Sequence, residues 1–325
     1  MSAETFVSVI IPTFNRAHVL KKTLSGYAKQ SGDHQICEVL VVDDGSKDDT
    51  ASVVQEWNGN PILNVRYLRQ ENRGLAAARN HAIREARGDI LLFGDDDIIP
   101  SNKMVAEHLA WHRNHPQANV GVVGLVNWAA EMNATPFMAW SGLYGPQFNF
   151  GYFKEAEELD FWHGYFCNTS VKASFLQENG VFNENFRQYG WEDVELSYRL
   201  CTHGYRLLYN PKAVGYHHKF ESFENTRRRI EILYSTWPMF AATDAGKRFL
   251  ELRSTGRQGA AGRSKSMLRK ALKPVKLAVV LLMRPLMDTR IPFPNWLYGQ
   301  VFYHHVTPFE KFLNPSGEPP SSGAE

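Results

Sequence analysis

The amino-acid sequence predicts an α/β fold in which a mostly parallel sheet is flanked by helices. Through the first hundred residues, short apolar runs alternate with segments of helical spacing, and polar residues follow several of the runs. The strand-like runs are VSVIIP at 7–12, CEVLVVDD at 37–44, a shorter run at 65–68 and DILLF at 89–93. Such β-branched apolar runs are typical of strands that are buried on both faces. Strand–helix alternation then specifies parallel strands joined by crossover helices.

Helical spacing accounts for the segments between these runs and for much of the second half. The predicted helices of the first half are 17–30, 48–57 and the alanine-rich segment 74–86. Beyond them the pattern predicts a helix at 103–114, a strand at 119–128, a loop-rich surface near a binding cleft at 135–163, and helices at 193–203, 227–240 and 247–253. Glycine, serine and threonine at 254–262 predict a linker.

Length and composition predict one main α/β domain with an appendage. The 325 residues carry a formal net charge of +2, which excludes a strongly basic nucleic-acid binder. The expected divisions are a main domain at 1–250 with halves 1–100 and 101–250, a basic helical appendage at 251–314 and a disordered tail at 315–325. Three separated cysteines without a Cys-x-x-Cys pair exclude a disulfide scaffold and favour a cytoplasmic protein.

Acidic side chains follow two of the predicted strands. Asp43 and Asp44 end the second strand, and Asp95, Asp96 and Asp97 follow the fourth. In open α/β sheets, ligands bind at the carboxyl ends of the strands, so these carboxylates are expected to lie close together. They would repel one another without a cation, and Mg²⁺ or Mn²⁺ with substrate phosphates suits such ligands. The chain has no Gly-x-Gly-x-x-Gly and no P-loop motif, which argues against a dinucleotide oxidoreductase and a P-loop NTPase.

Four motifs together resemble a known family. VSVIIPTFNR, VVDDGSKDDT, ENRGLAAARNHAI and LLFGDDD, in this order, are similar to the nucleotide-sugar half of family 2 glycosyltransferases. The resemblance spans Val7 to about Pro100 and continues more weakly to His218. The resemblance implies the GT-A fold, with a Rossmann-like sheet, and an inverting transfer reaction. It also implies a nucleoside-diphosphate sugar as donor and Mn²⁺ or Mg²⁺ as cofactor. One departure is Gly94, where the family commonly has leucine.

The resemblance also implies the roles of individual residues. The expected donor-binding residues are Pro12, Thr13, Asn15, Asp43, Asp44, Arg79, Asp95 and Asp96. The expected metal ligands are Asp97, Asp95 and His217, with His218 in reserve. For Arg79 the sequence alone leaves open a solvated helix arginine.

The segment NGVFNENFRQYGWEDVELSYRL, at 179–200, resembles the Glu-Asp segment of galactosyltransferase-like members. The resemblance implies that Asp193 is the base that deprotonates the acceptor hydroxyl and that Glu192 orients the acceptor or donor. Trp191 and Trp162 are predicted to bind the acceptor sugar, and Asn168 to Ser170 to donate hydrogen bonds there. The alternatives are an acidic helix cap for the carboxylates and core packing for the aromatic residues.

The predicted appendage is basic and amphipathic. No acidic residue occurs in 252–287, whereas nine lysine and arginine residues do, and leucine and valine recur there at helical spacing. Such a segment is typical of a helix that lies on an anionic membrane surface. A helical flap that packs on the main domain or at a dimer contact remains the alternative.

The sequence therefore predicts a metal-dependent inverting glycosyltransferase of cell-envelope or polysaccharide glycan synthesis. Its expected partners are a nucleoside-diphosphate sugar, a saccharide or lipid-linked saccharide acceptor and an anionic membrane surface, and no nucleic acid. Its expected location is cytoplasmic, with peripheral association at the cytoplasmic face of the membrane. The alternatives are a nucleotidyltransferase or other sugar-nucleotide enzyme, and a catalytically inactive carbohydrate-binding scaffold.

Overall fold

The computed structural model describes residues 5–30, 36–260 and 273–306. Within these ranges one sheet has the strand order β3-β2-β1-β4-β8-β6-β9-β5, and β7 pairs with β9. The strands are β1 Val7–Thr13, β2 Ile36–Asp43, β3 Val65–Arg69, β4 Ile90–Gly94, β5 Ile98–Pro100, β6 Val120–Trp128, β7 Glu158–Leu159, β8 Asn168–Lys172 and β9 Arg206–His217.

Helices cover both faces of this sheet and continue beyond it. They are α1 Ala17–Tyr27, α2 Thr50–Gln55, α3 Leu75–Glu85, α4 Met104–Asn114, α5 Pro136–Leu143, α6 Ala173–Asn179, α7 Glu192–Thr202, α8 Phe223–Ala241, α9 Asp244–Ala260, α10 Lys273–Met283 and α11 Asn295–Val306. The sheet flanked by helices confirms the predicted α/β class.

Strands β1 to β4 form the parallel half of the sheet, as the alternation predicts. β1 pairs in parallel with β2 and with β4, and every residue of β1 is buried. Successive side chains of β1 point to opposite faces: Ile10 packs in one apolar cluster, whereas Val9 and Ile11 pack in the other. The register sets Thr13 opposite Asp43, so the polar residues after these strands meet at one edge.

The second half of the sheet is mixed, which the sequence did not predict. β8 inserts between β4 and β6 and is antiparallel to both, so Gly94 pairs with Asn168. Asn168, Thr169 and Ser170 are therefore fully buried in the centre of the sheet. The expectation that they donate to an acceptor is wrong, because their polar atoms bond to the protein interior. The segment predicted as loop-rich surface contains the short helix α5.

The carboxyl-terminal helices differ from the prediction in one place. The predicted linker at 254–262 is helical as far as Ala260, where α9 ends. Each glycine there costs a helix about 1 kcal/mol, but arginine, glutamine and alanine between them favour it. Residues 261–272 and 307–325 lie outside the described residues, and with them four of the nine basic residues of 252–287 and the predicted tail. The domain limits stay predictions.

Helix α11 packs on the main domain. Its residues Tyr298, Val301 and Phe302 are buried in an apolar cluster with Phe137 and Phe223. For α11 this is the flap arrangement that the sequence left open. Among the described helices, none is both long and apolar enough to span a bilayer.

Candidate functional site

The ends of β1, β2 and β4 bring together the polar residues that the sequence singled out. Thr13 donates from its hydroxyl to Asp96 Oδ2 at 2.7 Å, which ties the end of β1 to the aspartates after β4. Pro12, beside it, is buried in β1. Asn15 has a φ of 53°, a left-handed conformation that asparagine tolerates. Its backbone N–H donates to Ser46 Oγ at 2.8 Å, so the β1 and β2 loops are also joined.

Asp43 and Asp44 are buried and hold the loops that follow β2 and β3. Asp43 accepts from the Ser46 backbone N–H at 2.7 Å and from the Tyr67 hydroxyl. Asp44 accepts from the backbone N–H groups of Arg73 and Gly74, each at 2.9 Å. Beside them lies a cavity of about 520 Å³, lined by Gly45, Arg69, Gln70, Glu71 and Asn72. The cavity was not predicted from the sequence. The feature that could have indicated it is the polar run of residues 69–72 at the end of β3.

The three aspartates after β4 have different surroundings. The Asp95 side chain is 34% exposed and accepts from Arg79 Nη2 at 3.1 Å. Burial raises the pKa of Asp95 to about 6, although Arg79 opposes this effect. Asp96 faces inward beside Arg16, and burial raises its pKa to about 7 against the pull of that cation. Asp97 is also buried, but His217 and Arg16 outweigh that burial and hold its pKa well below the usual range.

Asp97 and His217 are the two side chains that could hold a divalent cation together. His217 Nε2 lies 3.3 Å from Asp97 Oδ2, and Trp128 stacks on the imidazole at 5.2 Å. The ring's Nδ1 is buried without a hydrogen-bond partner among the described residues. His218 instead contacts Lys22 Nζ at 2.8 Å. A carboxylate and an imidazole fit Mn²⁺, provided that substrate phosphates and water complete the shell.

The described residues contain no cluster of three or more metal-ligating side chains. Asp95 is turned to Arg79, and the Arg16 guanidinium donates to Asp97 Oδ2 at 2.6 Å. Arg16 therefore occupies one position that a cation at Asp97 would take. Arg16 was not among the residues predicted from the sequence, and the signal that could have indicated it is its place directly after Asn15 in the first motif.

Arg79 joins the strand edge to helix α7. It lies on α3 with 1% of its side chain exposed, so it is not a solvated helix arginine. Its Nη1 donates to Asp193 Oδ1 at 2.6 Å, and its Nη2 donates to Asp95 and to the Phe166 carbonyl. The Phe182 ring lies 5.2 Å from the guanidinium. Arg79 thus neutralises two carboxylates that belong to different halves of the chain.

Helix α7 begins with the Glu-Asp pair. Gly190 and Trp191 both have left-handed backbone conformations, which turn the chain into the helix. Glu192 is buried, accepts from the Gly190 N–H at 2.9 Å, and has its pKa raised to about 7 by burial and by Asp193. Asp193 accepts from the Phe166 N–H at 3.1 Å, and its side chain stays 25% exposed. Burial raises the pKa of Asp193, and Arg79 opposes the rise.

The two tryptophans predicted to bind an acceptor lie in one aromatic cluster. Trp191 stacks on Phe240 with ring centroids 4.6 Å apart, and its indole N–H donates to the Leu233 carbonyl. Trp162 contacts Phe249 at 4.8 Å. Both rings are half-buried. Their acceptor-binding role stays a prediction, since one face of each ring already packs against protein.

Comparison with known proteins gives the context of this site. The model of the family described as glycosyl transferase family 2 matches residues 8–171, which is just over half of the chain. Validoxylamine A glucosyltransferase of Streptomyces hygroscopicus subsp. jinggangensis is 32% identical, and the match covers 64% of this chain and 54% of that protein. The chain therefore spans about half the length of this curated relative.

Two solved structures share the architecture. The mannosyltransferase PcManGT from Pyrobaculum calidifontis, in complex with GDP-Man and Mn²⁺, superposes with a TM-score of 0.58 at 21% identity over 94% of this chain and 88% of that chain. Staphylococcus aureus TarS in complex with UDP-GlcNAc gives 0.55 at 18% identity over 95% and 91% of the two chains. These likenesses confirm the predicted GT-A fold.

Proposed function

Because the chain belongs to glycosyl transferase family 2, we propose that it is a metal-dependent inverting enzyme. It transfers a sugar from a nucleoside-diphosphate sugar to an acceptor hydroxyl in cell-envelope or polysaccharide glycan synthesis. The solved relatives hold GDP-Man with Mn²⁺ and UDP-GlcNAc, which supports this class of donor. The proposed location is the cytoplasm, at the membrane face where a lipid-linked acceptor would be presented.

One observation carries the proposal: Arg79 bridges Asp95 and Asp193. Asp95 follows β4 at the edge where a donor is expected to bind, and Asp193 begins α7 in the acceptor half. Donor-side and acceptor-side carboxylates therefore meet at a single guanidinium. An inverting transfer needs this proximity, because the acceptor oxygen attacks the sugar carbon opposite the departing diphosphate.

Asp193 is the proposed general base. One of its oxygens accepts from the Phe166 N–H and the other from Arg79, so the carboxyl group is fixed in orientation. The exposed quarter of the side chain is the part that an acceptor hydroxyl can reach. A positioned carboxylate of this kind accelerates proton transfer by roughly 10²–10⁴-fold. Glu192, buried behind it, orients the start of α7 through Gly190.

Asp97, His217 and Asp95 are the proposed metal ligands, and Asp95 would have to turn from its ion pair with Arg79 to take part. A bound Mn²⁺ or Mg²⁺ would neutralise the charge that grows on the leaving diphosphate. Arg16 is positive and already pairs with Asp97, so its side chain is expected to turn toward the donor phosphates when the site is loaded. Thr13, Asn15, Asp43 and Asp44 are proposed to bind the nucleoside of the donor, and the cavity beside Gly45 is the space proposed for it.

The test is to incubate the protein with a panel of nucleotide sugars and Mn²⁺ and to identify the released product. Release of nucleoside diphosphate supports transfer, whereas release of pyrophosphate indicates a nucleotidyltransferase. The substitution Asp97→Asn is expected to abolish release, and a chelator is expected to do the same. Asp49→Asn is the matched control, because Asp49 is an exposed aspartate in the neighbouring β2 loop. Nucleotide binding without turnover of any donor would favour an inactive scaffold.

A further inference from the structure

Helix α10 and the turn after it leave large apolar side chains in solvent. Leu281 is 56% exposed and Leu282 is 73% exposed, while Ile291 and Trp296 are 52% and 67% exposed. Between residues 277 and 282, Val280 alone is buried. We call this region the α10 surface, which comprises Leu277, Val279, Leu281, Leu282, Leu286, Ile291 and Trp296. Large apolar side chains that are exposed this close together in sequence are expected to mark an interaction site when they form one patch.

Helix α11, the neighbour of α10, does not cover the α10 surface. α11 already buries Tyr298, Val301 and Phe302 against the main domain, and α10 joins the same cluster through Met283. Arg284 lies over the Phe223 ring at 4.1 Å and pairs with Glu224 at 3.3 Å. These contacts fix the end of α10 to the main domain, whereas Leu281 and Leu282 stay exposed one turn or less before them.

The sequence around this surface is strongly positive. Residues 252–287 contain no aspartate or glutamate, and their nine basic residues are Arg253, Arg257, Arg263, Lys265, Arg269, Lys270, Lys273, Lys276 and Arg284. A partner for the region must therefore offer both an apolar medium and negative charge.

We propose that the α10 surface docks on a bilayer that contains anionic phospholipid. Leucine, isoleucine and tryptophan side chains can enter the boundary between headgroups and acyl chains, while lysine and arginine side chains meet the lipid phosphates. A second copy of this chain is a poorer partner. A two-fold contact would bring a second chain whose sequence is equally basic here and offers no negative charge between residues 252 and 287. The inference rests on the surface and its charge, and it does not depend on the proposed reaction.

The test is sedimentation of the full-length protein with two kinds of vesicle, one of phosphatidylcholine and the other of equal parts phosphatidylcholine and phosphatidylglycerol. We expect binding to the anionic vesicles, weakened by salt because surface charges are screened, and little binding to the neutral ones. The double substitution Leu281→Ser with Leu282→Ser is expected to weaken partitioning by about tenfold or more. Lys273→Glu with Lys276→Glu is expected to weaken it as well.

The controls separate docking from folding and from catalysis. Ile62→Ser changes an equally exposed apolar residue far along the chain and is expected to leave vesicle binding unchanged. Both pairs of substitutions are expected to keep the wild-type melting temperature and the wild-type release of nucleoside diphosphate from a soluble donor without vesicles. Absence of wild-type binding to anionic vesicles at low salt would overturn the proposal. So would a dimer in sedimentation velocity that dissociates on the leucine substitutions.

Discussion

The Arg79 guanidinium donates to Asp193 at 2.6 Å across 114 positions of sequence. Its other terminal nitrogen donates to Asp95 at 3.1 Å, and the side chain is 1% exposed. A buried cation of this kind is stable only when it is paired, and here two carboxylates pair with it. Arg79 therefore links the assembly of the site to the folding of the domain. It also sets the charge that the proposed base experiences.

Replacing Arg79 with lysine is expected to lower kcat/KM by about 100-fold, since a single ammonium cannot hold both carboxylates in place. Arg79 opposes the rise in the pKa of Asp193 that burial causes. A weaker cation leaves that pKa higher, and a base must be deprotonated, so the acid limb of the pH–kcat/KM profile is expected to move to higher pH. The measurement is that profile for both proteins.

Arg84→Lys is the matched control for this prediction. Arg84 lies on the same helix, but its side chain is 58% exposed and pairs only at 3.8 Å with Glu184. We expect its profile to superpose on that of the wild type. If Arg79→Lys also left the acid limb in place at normal stability, Arg79 would not act on the base.

Replacing Asp193 with asparagine is expected to reduce transfer by roughly 10²–10⁴-fold while nucleotide binding is retained. Asparagine keeps the shape of the side chain and an oxygen for the Phe166 N–H, but it cannot take a proton from an acceptor. The measurements are nucleoside diphosphate release and calorimetric nucleotide affinity. Glu195→Gln is the control, because Glu195 lies two residues further along the same helix, on another face, and pairs with Arg199 at 2.7 Å. Near-normal turnover of Asp193→Asn would rule out this base.

Local sequence patterns sufficed for the first half of the fold. The runs that became β1, β2 and β4 are short and mostly apolar, and the polar residues after them meet at one edge because parallel strands share a direction. For example, Thr13 at the end of β1 lies opposite Asp43 at the end of β2. These patterns lie within short stretches of the chain, so they predict strands and their polar ends without knowledge of the tertiary structure.

The second half of the sheet and the surroundings of Arg79 depend on contacts between residues that are distant in the sequence. No local signal indicates that β8 inserts antiparallel beside β4, and this insertion converts Asn168 and Ser170 from expected ligand contacts into core residues. The burial of Arg79 likewise requires Asp193, which lies in the other half of the chain. Trp191 has a φ of 73°, a conformation uncommon for a bulky residue, and its ring orientation follows from that backbone turn.

Gly94, where the family commonly has leucine, is expected to be required by Tyr27. A Cβ atom at Gly94 would lie 2.8 Å from the Tyr27 hydroxyl, which is buried without a hydrogen-bond partner among the described residues. Gly94→Ala is therefore expected to lower the free energy of unfolding by about 1–3 kcal/mol. Tyr27→Phe removes the clashing oxygen, and losing an unpaired hydroxyl costs little. The double variant is expected to recover most of the loss.

Urea unfolding of the wild type, the two single variants and the double variant measures this coupling. Gly299→Ala serves as a control, since a Cβ atom there meets only Trp140 and Tyr303, at 3.8 and 3.9 Å. That substitution is expected to be neutral or stabilising. Simple additivity of the Gly94 and Tyr27 effects would show that the contact between them is not the cause.

His108 is expected to make the fold sensitive to acid. It lies buried behind the sheet, with Nδ1 2.8 Å from Ser170 Oγ and Nε2 3.0 Å from Asn168 Oδ1. Burial lowers the pKa of His108 from 6.5 to about 4. Above pH 6.5 the imidazole is neutral in both states and adds no pH dependence. As the pH falls from 6.5 toward 4, the unfolded state takes up the proton first, so stability is lost over that window, by about 3 kcal/mol.

Urea unfolding of the wild type and His108→Gln across this pH window tests the prediction. Glutamine can bond to the same neighbours but cannot be protonated, so the variant is expected to lose less stability on acidification even if it is less stable at neutral pH. His203→Gln is the control, because His203 is exposed at the end of α7 and should leave the slope unchanged. Equal slopes for wild type and His108→Gln would contradict the prediction and assign the acid sensitivity to other groups, among them the neighbouring buried His112, whose pKa burial also lowers.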